Sequence, residues 1–388
     1  MKVVHFKKTF LHPTETFIFN QIKNLNGVEN FVLCRKKNEN SNFNFSEIRK
    51  IDEIPHSINW QFQKFVFATA CVLGKYYRFD QRKMIERLRA YQPDLMHAHF
   101  GPDANYILPV AIKLNIPIIT SFYGYDVSAF PKSYWGLAKR AYRQLIRNGD
   151  VFLAMSENMK QELIKLSFPS EKIVVHHFGV DFKYFDLGNR NYSMADDGSF
   201  YLIQIASMIP KKGHIYLLQA INQLVNKMNR KNIVLNLIGN GPLEKNLRQF
   251  VTEHNLENNV RFLGFVPISN DYLNLLANSH AYVHPSVTDK FGAKEGIPTT
   301  LLEAMASGLP PISSFHAGIP DVISHEKNGF LIPEKDIDKL VEYICRLADR
   351  ENLRVDLGQK AKQTILINYN IYKQSERLQK IYRSIIQS

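Results

Sequence analysis

The sequence is poor in cysteine and tryptophan, with three cysteines and two tryptophans among 388 residues. Cys34, Cys71 and Cys345 lie far apart, and none belongs to a C-x-x-C pair. An odd number of distant cysteines argues against a disulfide framework and against a zinc site, and it fits a reducing compartment. The small disulfide-rich class of protein is therefore excluded.

Long apolar runs are also missing. The longest, Phe65–Leu73, is far shorter than the roughly 20 residues that a membrane-spanning helix needs. Lys7 and Lys8 interrupt the apolar start of the chain, so we expect no signal peptide. The sequence predicts a cytoplasmic protein, either soluble or bound peripherally at the inner face of the cell membrane.

Acidic residues are outnumbered, because 36 Asp and Glu stand against 49 Lys and Arg, a net charge of +13. Most of the excess lies in residues 1–183, with 26 basic and 16 acidic residues. This excess favours anionic partners such as phosphates, an anionic membrane surface or nucleic acid. No nucleic-acid-binding module is recognisable, so no nucleic-acid partner is expected.

Hydrophobic residues make up 45% of the chain and charged residues 22%, as in ordinary folded proteins. Short apolar runs alternate with longer segments of helical period, which predicts parallel sheets covered on both faces. The polar, turn-forming residues 184–198 are the predicted linker between a domain at 1–183 and a second at 199–368. Open α/β sheets bind ligands at the carboxyl ends of their strands.

The segment from His284 to Gly308 carries the most chemistry. It predicts a glycine-containing loop and then a helix that begins near Pro298, whose free N–H groups would attract phosphate. Glu295 in the loop and Glu303 in the helix flank this turn, so one carboxylate can contact a ribose and the other a sugar. Their spacing alone fits equally well an ordinary solvated helix start with two surface glutamates.

This segment resembles the E-x7-E donor motif of family 4 retaining glycosyltransferases. The run EGIPTTLLEAMASGLPPISS, with HAGIP at 316–320 and NGFLIP at 328–333, strengthens the resemblance. It is closest to the bacterial colanic-acid/exopolysaccharide-type branch and extends over nearly the whole chain. The resemblance implies a GT-B fold, an α/β architecture of two Rossmann-like domains facing each other across a donor/acceptor cleft. It also implies that residues 369–388 form a helix crossing back to the first domain.

The resemblance implies a retaining hexosyltransferase that needs no cofactor and uses a UDP- or GDP-linked sugar as its donor. Glu295 would then orient the sugar and support its developing positive charge, and Glu303 would anchor the ribose. The donor diphosphate would meet the backbone of Gly296, Ile297, Pro298 and Thr299.

The segment ASMIPKKGH resembles the family pattern G-R-x-x-x-K-K-G. Lys212 matches the lysine that binds the diphosphate, where a cation would neutralise the leaving group. The family arginine falls at Ser207, a donor-side position that lacks the expected cation, and Lys211 is a candidate to replace it. Gly239 and Gly241 match the family's G-x-G-P donor turn.

Two further stretches concern the donor site and an alternative interpretation of it. The strand with Phe265 matches the one that holds the base, and a plain core strand fits it equally well. A dinucleotide fingerprint is disfavoured because the third glycine after Gly239 and Gly241 is missing.

The first domain holds the implied acceptor and sugar contacts. Thr14 and Glu15 belong to a loop, PTETFI, that resembles the branch pattern P-x-x-S-E-T-F-[IV]. His99 ends the family's H-x-H strand with His97, and no third or fourth ligand at sensible spacing supports a metal site, so we expect no metal.

The stretch SFYGYDVS resembles T-F-H-G-x-D-x-S, in which the histidine contacts the transferred sugar. Tyr123 occupies that histidine's place and is a poor base at neutral pH. Tyr123 is thus a catalytic candidate, and Asp126 is a candidate for sugar or acceptor contact.

The region Lys64 to Arg89 combines seven basic and two acidic residues with aromatic side chains. Such a helix suits an anionic membrane surface and a glycan or lipid-diphosphate-linked glycan acceptor, and a core-packing helix fits it equally well. Two other functions share this architecture. One is a catalytically impaired GT-B binding protein, and the other is a nucleotide-sugar epimerase.

Overall fold

The computed structural model describes residues 1–10, 15–38, 50–53, 69, 81–133 and 136–387. The chain divides into two compact units. The first unit comprises Met1–Gly179 with Ile371–Ser388, and the second unit comprises Val180–Asn370.

The first unit is built on a seven-stranded sheet in which every pairing is parallel. The strand order is β3-β2-β1-β4-β5-β6-β7. The central strands are buried on both faces, as expected for a parallel sheet covered by helices. The strands are β1 (Lys2–Phe10), β2 (Glu29–Lys37), β3 (Lys50–Glu53), β4 (Leu95–His99), β5 (Ile118–Phe122), β6 (Val151–Ala154) and β7 (Ile173–Val175).

Helices cover this sheet, and one of them comes from the far end of the chain. Leu378 and Tyr382 of that last helix are fully buried in a cluster with Val3 and Leu95. The helices are α1 (Thr16–Lys23), α2 (Gln81–Tyr91), α3 (Gly101–Leu114), α4 (Tyr125–Ser128), α5 (Tyr142–Asn148), α6 (Glu157–Lys165) and, last in the chain, α15 (Ile371–Ile386).

The second unit has a six-stranded parallel sheet of order β10-β9-β8-β11-β12-β13. Its strands are β8 (Phe200–Ile205), β9 (Ile233–Ile238), β10 (Val260–Gly264), β11 (Ala281–His284), β12 (Pro311–Ser314) and β13 (Phe330–Ile332). Its helices are α7 (Phe182–Phe185), α8 (His214–Asn222), α9 (Glu244–Glu253), α10 (Asn270–Ala277), α11 (Thr299–Ala306), α12 (Ile319–Val322), α13 (Ile337–Asp349) and α14 (Glu351–Asn368). A single π-helical turn, Gln223–Lys227, continues α8.

In each sheet the order of the strands reverses at one place. In each, the first strand of the unit lies between the second and the fourth, so the strand order turns back between β1 and β4 and between β8 and β11. Ligands of open α/β sheets bind beyond the carboxyl ends of the strands at such a reversal. The two doubly wound sheets confirm the predicted fold class, and the topology predicts where each unit would hold a ligand.

Residues 184–198 are part of the second unit, whose division from the first falls at Gly179–Val180. Arg190 donates to the carbonyls of Leu276 and Ser307, and the Tyr192 hydroxyl donates to the carbonyl of Gly308. These carbonyls lie at the ends of α10 and α11, where helices lack internal donors. The composition that suggests a linker therefore serves to cap two helices.

The predicted membrane-facing region, Lys64 to Arg89, lies outside the described residues except for Thr69 and 81–89. Its described end belongs to α2, which buries Met84, Ile85 and Leu88. Within the described part of the chain, no helix combines the length and the apolar composition that crossing a bilayer requires.

Candidate functional site

The strand reversal of the second unit brings two lysines onto one glutamate. Lys211 and Lys212 form a short turn directly after β8, and Glu295 lies in the loop between β11 and α11. Lys212 Nζ is 2.6 Å from Glu295 Oε2, and Lys211 Nζ is 2.9 Å from Glu295 Oε1. Lys211 is thus a second cation on Glu295, and its part in replacing the arginine expected at Ser207 stays a prediction.

Glu295 is the buried member of this cluster, and its two lysines are partly buried. Glu295 is only 6% exposed. Burial alone would raise the pKa of Glu295, but the Lys212 and Lys211 cations hold it well below its usual range. Burial lowers the pKa of Lys212, and Glu295 opposes that effect. Glu295 is therefore an anion that two cations neutralise, and both lysine side chains stay partly exposed to an incoming anionic group.

The loop that carries Glu295 is held by a histidine that sequence reasoning did not assign to the site. The backbone N–H of Glu295 donates to His316 Nε2 at 3.0 Å, and His316 Nδ1 lies 2.6 Å from Glu334 Oε1. Glu334 also accepts hydrogen bonds from the backbone and hydroxyl of Thr288. His316 belongs to the HAGIP stretch after β12. The sequence shows that motif, but it does not indicate that His316 contacts the backbone of Glu295.

Glu303 occupies a very different environment from Glu295. It lies inside α11, is 4% exposed, and accepts a hydrogen bond from the Tyr272 hydroxyl of α10. Burial raises the pKa of Glu303 to about 7, with the Tyr272 contact opposing. Tyr272 is a second partner that the sequence pattern did not indicate.

The start of α11 joins the two glutamates. Pro298 is its N-cap residue, and no side chain caps the helix there. Gly296 and Thr299 are partly exposed, whereas Ile297 and Pro298 are buried. An N-terminus without a side-chain cap presents N–H groups and a positive dipole end, which suits an anion.

The remaining donor-side predictions lie along neighbouring strand ends. Gly239 has φ +124°, and a Cβ there would come 2.1 Å from the Ala206 carbonyl oxygen, so only glycine fits. Gly241 approaches the backbone of Met208 in the same way. Ser207 is partly exposed on the turn after β8, and Phe265 is 60% exposed directly after β10.

In the first unit, Tyr123 directly follows β5 and is partly exposed. Its hydroxyl lies 2.7 Å from Nδ1 of the fully buried His99. Asp126 is fully buried too, and its carboxylate accepts the backbone N–H groups of Gly101, Tyr123 and Gly124. Asp126, predicted to contact sugar or acceptor, thus braces the turn that carries Tyr123.

Glu15 and Thr14 were predicted from the same loop. Glu15 is the N-cap residue of α1, and its carboxylate lies 3.5 Å from Lys7 Nζ. Lys7 also lies 3.5 Å from Asp103 and over the ring of Phe100. Thr14 lies outside the described residues.

The sequence argument found no third ligand near His97 and His99, and that step was wrong. His5 of β1 lies beside His97 in the sheet register, and the three histidines have ring nitrogens within 4.8 Å of one another. Each ring nitrogen already contacts a protein partner: Asn30, Tyr382, Ser121, Tyr123 or another histidine of the group. A metal ion would have to displace one of these partners at each histidine that it bound.

Two family profiles match this chain. "Glycosyl transferases group 1" covers residues 189–364, and "Glycosyltransferase Family 4" covers residues 26–184. The putative colanic acid biosynthesis glycosyltransferase WcaL of Escherichia coli K12 is 32% identical over 72% of this chain and 68% of its own length. The amylovoran biosynthesis glycosyltransferase AmsK of Erwinia amylovora is 31% identical over 74% of this chain and 70% of its own.

A solved structure extends the comparison to the whole fold. Anabaena Alr3699/HepE, crystallised with UDP and glucose, aligns with a TM-score of 0.77. The alignment covers 99% of this chain and 100% of that one, at 17% sequence identity. At that identity the match shows the fold alone, and the alignment extends over both units.

Proposed function

The chain belongs to glycosyltransferase family 4, and on that premise we propose that it transfers a hexose-type sugar from a UDP- or GDP-linked donor, with retention, to a glycan or lipid-diphosphate-linked glycan. It is a glycosyltransferase of exopolysaccharide biosynthesis, the class of its relatives WcaL and AmsK. The observation that carries the proposal is the pair of lysines on Glu295 at the strand reversal of the second unit.

The lysines and the helix start serve the donor diphosphate. Its negative charge would meet Lys212 and Lys211, with the backbone N–H groups of Gly296, Ile297 and Thr299 on the other side. The diphosphate gains charge as the bond to the sugar breaks, so cations fixed beforehand stabilise the transition state more than the ground state. Glu295 keeps these cations in place before the donor arrives.

The two glutamates would contact the ribose and the sugar of the donor. Glu303 would accept hydrogen bonds from the ribose hydroxyls, and Glu295 would orient the sugar and support the positive charge on its anomeric carbon. The bond from that carbon to the diphosphate breaks, and the acceptor oxygen bonds to the carbon from the same face. The acceptor proton passes to an oxygen of the departing diphosphate, so no strong protein base is needed.

The donor assay comes first. We would measure release of free nucleotide from UDP-, GDP- and ADP-sugars, comparing the protein with Glu295→Gln, Glu303→Gln and, as a matched control, the exposed Glu257→Gln. Release from one donor that both site variants lose and the control keeps would support the proposal. Glu295→Gln should lower turnover more than donor affinity.

Other outcomes would point elsewhere. Donor binding without release, in the presence of lipid-linked acceptors, would favour a binding protein that has lost catalysis. Conversion of the donor sugar without any acceptor would favour an epimerase. An unchanged rate in Glu295→Gln would contradict the role given to that carboxylate.

The acceptor and the membrane can be tested together. We propose that the basic region Lys64 to Arg89 docks at the inner face of the membrane, where a lipid-linked glycan would be presented. Vesicles containing anionic lipid should sediment the protein at low salt, and neutral vesicles should not. Failure to sediment with the anionic vesicles at low salt would contradict membrane docking and leave the donor chemistry untouched.

A further inference from the structure

Each unit has two consecutive lysines near the carboxyl end of its first strand, and each pair meets a buried carboxylate. In the first unit, Lys7 and Lys8 of β1 come after the buried His5 and after Phe6, the last residue of β1 that pairs with β4. Lys7 Nζ is 3.5 Å and Lys8 Nζ is 3.9 Å from a carboxylate oxygen of Asp103. We call Lys7, Lys8 and Asp103 the first-unit lysine cluster.

The place of this cluster in the fold matches that of Lys211, Lys212 and Glu295 in the second unit. In each unit the lysines lie at the end of the first strand and the carboxylate follows the fourth strand. Asp103 lies in the first turn of α3, after β4, and Glu295 lies in the loop after β11. Both places are at the reversal of strand order, where open α/β sheets bind ligands. The same topology therefore positions a pair of cations twice.

The start of α3 holds Asp103 in a fixed position. Phe100 has φ +74° and ψ 136°, a conformation that is costly for any residue other than glycine. Gly101 follows it, and a Cβ there would lie 2.6 Å from both the Phe122 ring and the Tyr142 hydroxyl. The surrounding side chains thus maintain a strained backbone immediately before Asp103. Strain of this kind is concentrated at ligand-binding and active sites.

Lys7 is a cation between two carboxylates. Burial alone would lower the pKa of Lys7, but Asp103 and Glu15 raise it above its usual value. Glu15 Oε2 lies 3.5 Å from Lys7 Nζ, the same distance as Asp103 Oδ2. An ammonium group has three N–H donors, so Lys7 can bind a further anionic acceptor beside these two.

A third basic side chain adjoins Lys8. Lys8 Nζ and the Arg35 guanidinium lie 4.9 Å and 5.9 Å from the centre of the Tyr106 ring of α3. Three basic residues therefore stand against the carboxylates of Asp103 and Glu15, an excess of one positive charge. The two lysines on Glu295 in the second unit have the same excess. This balance attracts an anion and keeps the cations paired before the anion arrives.

A purely structural role would need less than this. The backbone N–H of Lys8 donates to Asp103 Oδ2 at 2.9 Å, which already joins the strand end to α3 with any side chain at position 8. Taking charges out of water is costly, so buried ion pairs are weak contributors to stability. The side chains of Lys7 and Lys8 are 12% and 28% exposed, so a ligand can reach both.

We propose that the first-unit lysine cluster binds a diphosphate group, that of the carrier lipid on the acceptor. The identity of the acceptor rests on the proposed function, whereas the anion site rests on the first unit alone. Two adjacent ammonium groups can share the oxygens of a diphosphate in short, charge-assisted hydrogen bonds. The cluster thereby selects a lipid-diphosphate-linked glycan over a glycan without its carrier.

Calorimetric titration of the full chain with inorganic diphosphate tests the site itself. We expect two diphosphates per chain, one in each unit. Lys8→Met and Lys212→Met should each leave one, whereas Lys8→Arg and the exposed control Lys245→Met should keep both. The backbone contact of Lys8 is the same in its variants, and thermal unfolding would verify that they fold. An unchanged stoichiometry in a folded Lys8→Met protein would overturn the proposal.

The source of the diphosphate is tested with two acceptors that carry the same glycan. One has a polyprenyl diphosphate, and the other has an uncharged alkyl group. The diphosphate should lower the acceptor KM about tenfold, as expected for a hydrogen bond to a charged group. Lys8→Met should remove most of that preference without changing the donor KM, and Lys8→Arg should retain it.

The other outcomes are distinct. A preference that persists in Lys8→Met would refute the role of the cluster in acceptor binding. Inorganic diphosphate bound at the cluster without any acceptor preference would refute the carrier lipid and assign the site to free diphosphate. If no donor releases its nucleotide, the proposed function fails, while the titration still decides whether the first-unit lysine cluster binds an anion.

Discussion

The two units place opposite kinds of polar group at the same point of the same topology. At the strand reversal of the first unit lie His5, His97 and His99, buried and neutral. At that of the second lies the buried Glu295, with the partly buried Lys211 and Lys212 on its carboxylate. A neutral hydrogen-bonding site suits hydroxyls and a charged one suits anions, so the same topology supports two kinds of polar site.

The difference follows from what each buried group has as a partner. A lone imidazole can shed its charge when it is buried, and neighbouring histidines encourage it to do so. A carboxylate beside two ammonium groups keeps its charge because each ion lowers the cost of the others. Substituting the partners of a buried group should therefore change whether that group is charged or neutral.

The largest effect is expected from removing the central cation. Lys212→Met should lower turnover about 100- to 1,000-fold, the range seen when a preorganised charge-stabilising group is lost. Glu295 would keep only Lys211, and the diphosphate would lose its main counter-charge. Nucleotide release at saturating donor measures the effect, with the exposed Lys245→Met as control. A loss of less than about threefold would contradict the role of Lys212.

Asp126 is a buried carboxylate of the first unit, and backbone N–H groups rather than cations surround it. Asp126→Asn should destabilise the first unit by about 2 kcal/mol, because an amide NH2 would oppose a backbone N–H. Calorimetric unfolding would show this as a lower Tm for one transition. Asp356→Asn, which breaks an exposed pair with Lys360, should leave both transitions in place.

Glu303 should make donor binding depend on pH. Its pKa of about 7 means that the carboxyl is protonated at pH 6 and ionised at pH 8, and the ionised form accepts better from two ribose hydroxyls. UDP or GDP affinity should rise up to about tenfold over this range by calorimetric titration. Glu303→Gln should remove that part of the rise and leave the ionisation of the phosphate itself. An identical pH profile in the variant would refute the assignment.

The same group should affect folding in the opposite sense. Because its folded pKa lies above the unfolded value of 4.5, Glu303 favours the folded state at low pH. That stability is lost as pH rises from about 4.5 to about 7. Denaturant unfolding of the protein and Glu303→Gln across this window should show a smaller decline in the variant, whereas parallel declines would contradict it.

The smallest effect is expected at His316, a positioning residue for the charged site. His316→Leu should reduce kcat about fivefold by removing the acceptor for the Glu295 N–H, with little change in donor KM. Glu334→Gln should act in the same direction but less. A rise in KM with unchanged kcat would show that His316 serves donor binding instead.

The fold and the charged core of the site were within reach of sequence reasoning. Alternating apolar runs predicted the parallel sheets, and the E-x7-E and K-K-G stretches predicted Glu295 and Lys212. What remained out of reach depends on which strands are neighbours. His5 joins His97 only because β1 pairs with β4, and Tyr272 meets Glu303 only because the fold brings a side chain of α10 within hydrogen-bond reach of α11. The spacing of these residues along the chain predicts neither contact.

The helix α15 gives the first unit an unusual history during synthesis. Its Leu378 and Tyr382 complete a core with Val3 and Leu95, yet the whole second unit is translated in between. The portion that leaves the ribosome first must therefore wait with an unfilled apolar groove while about 190 residues emerge and fold. The unit that begins to form earliest is the one completed last, so chaperone dependence and truncation sensitivity should concentrate at that groove.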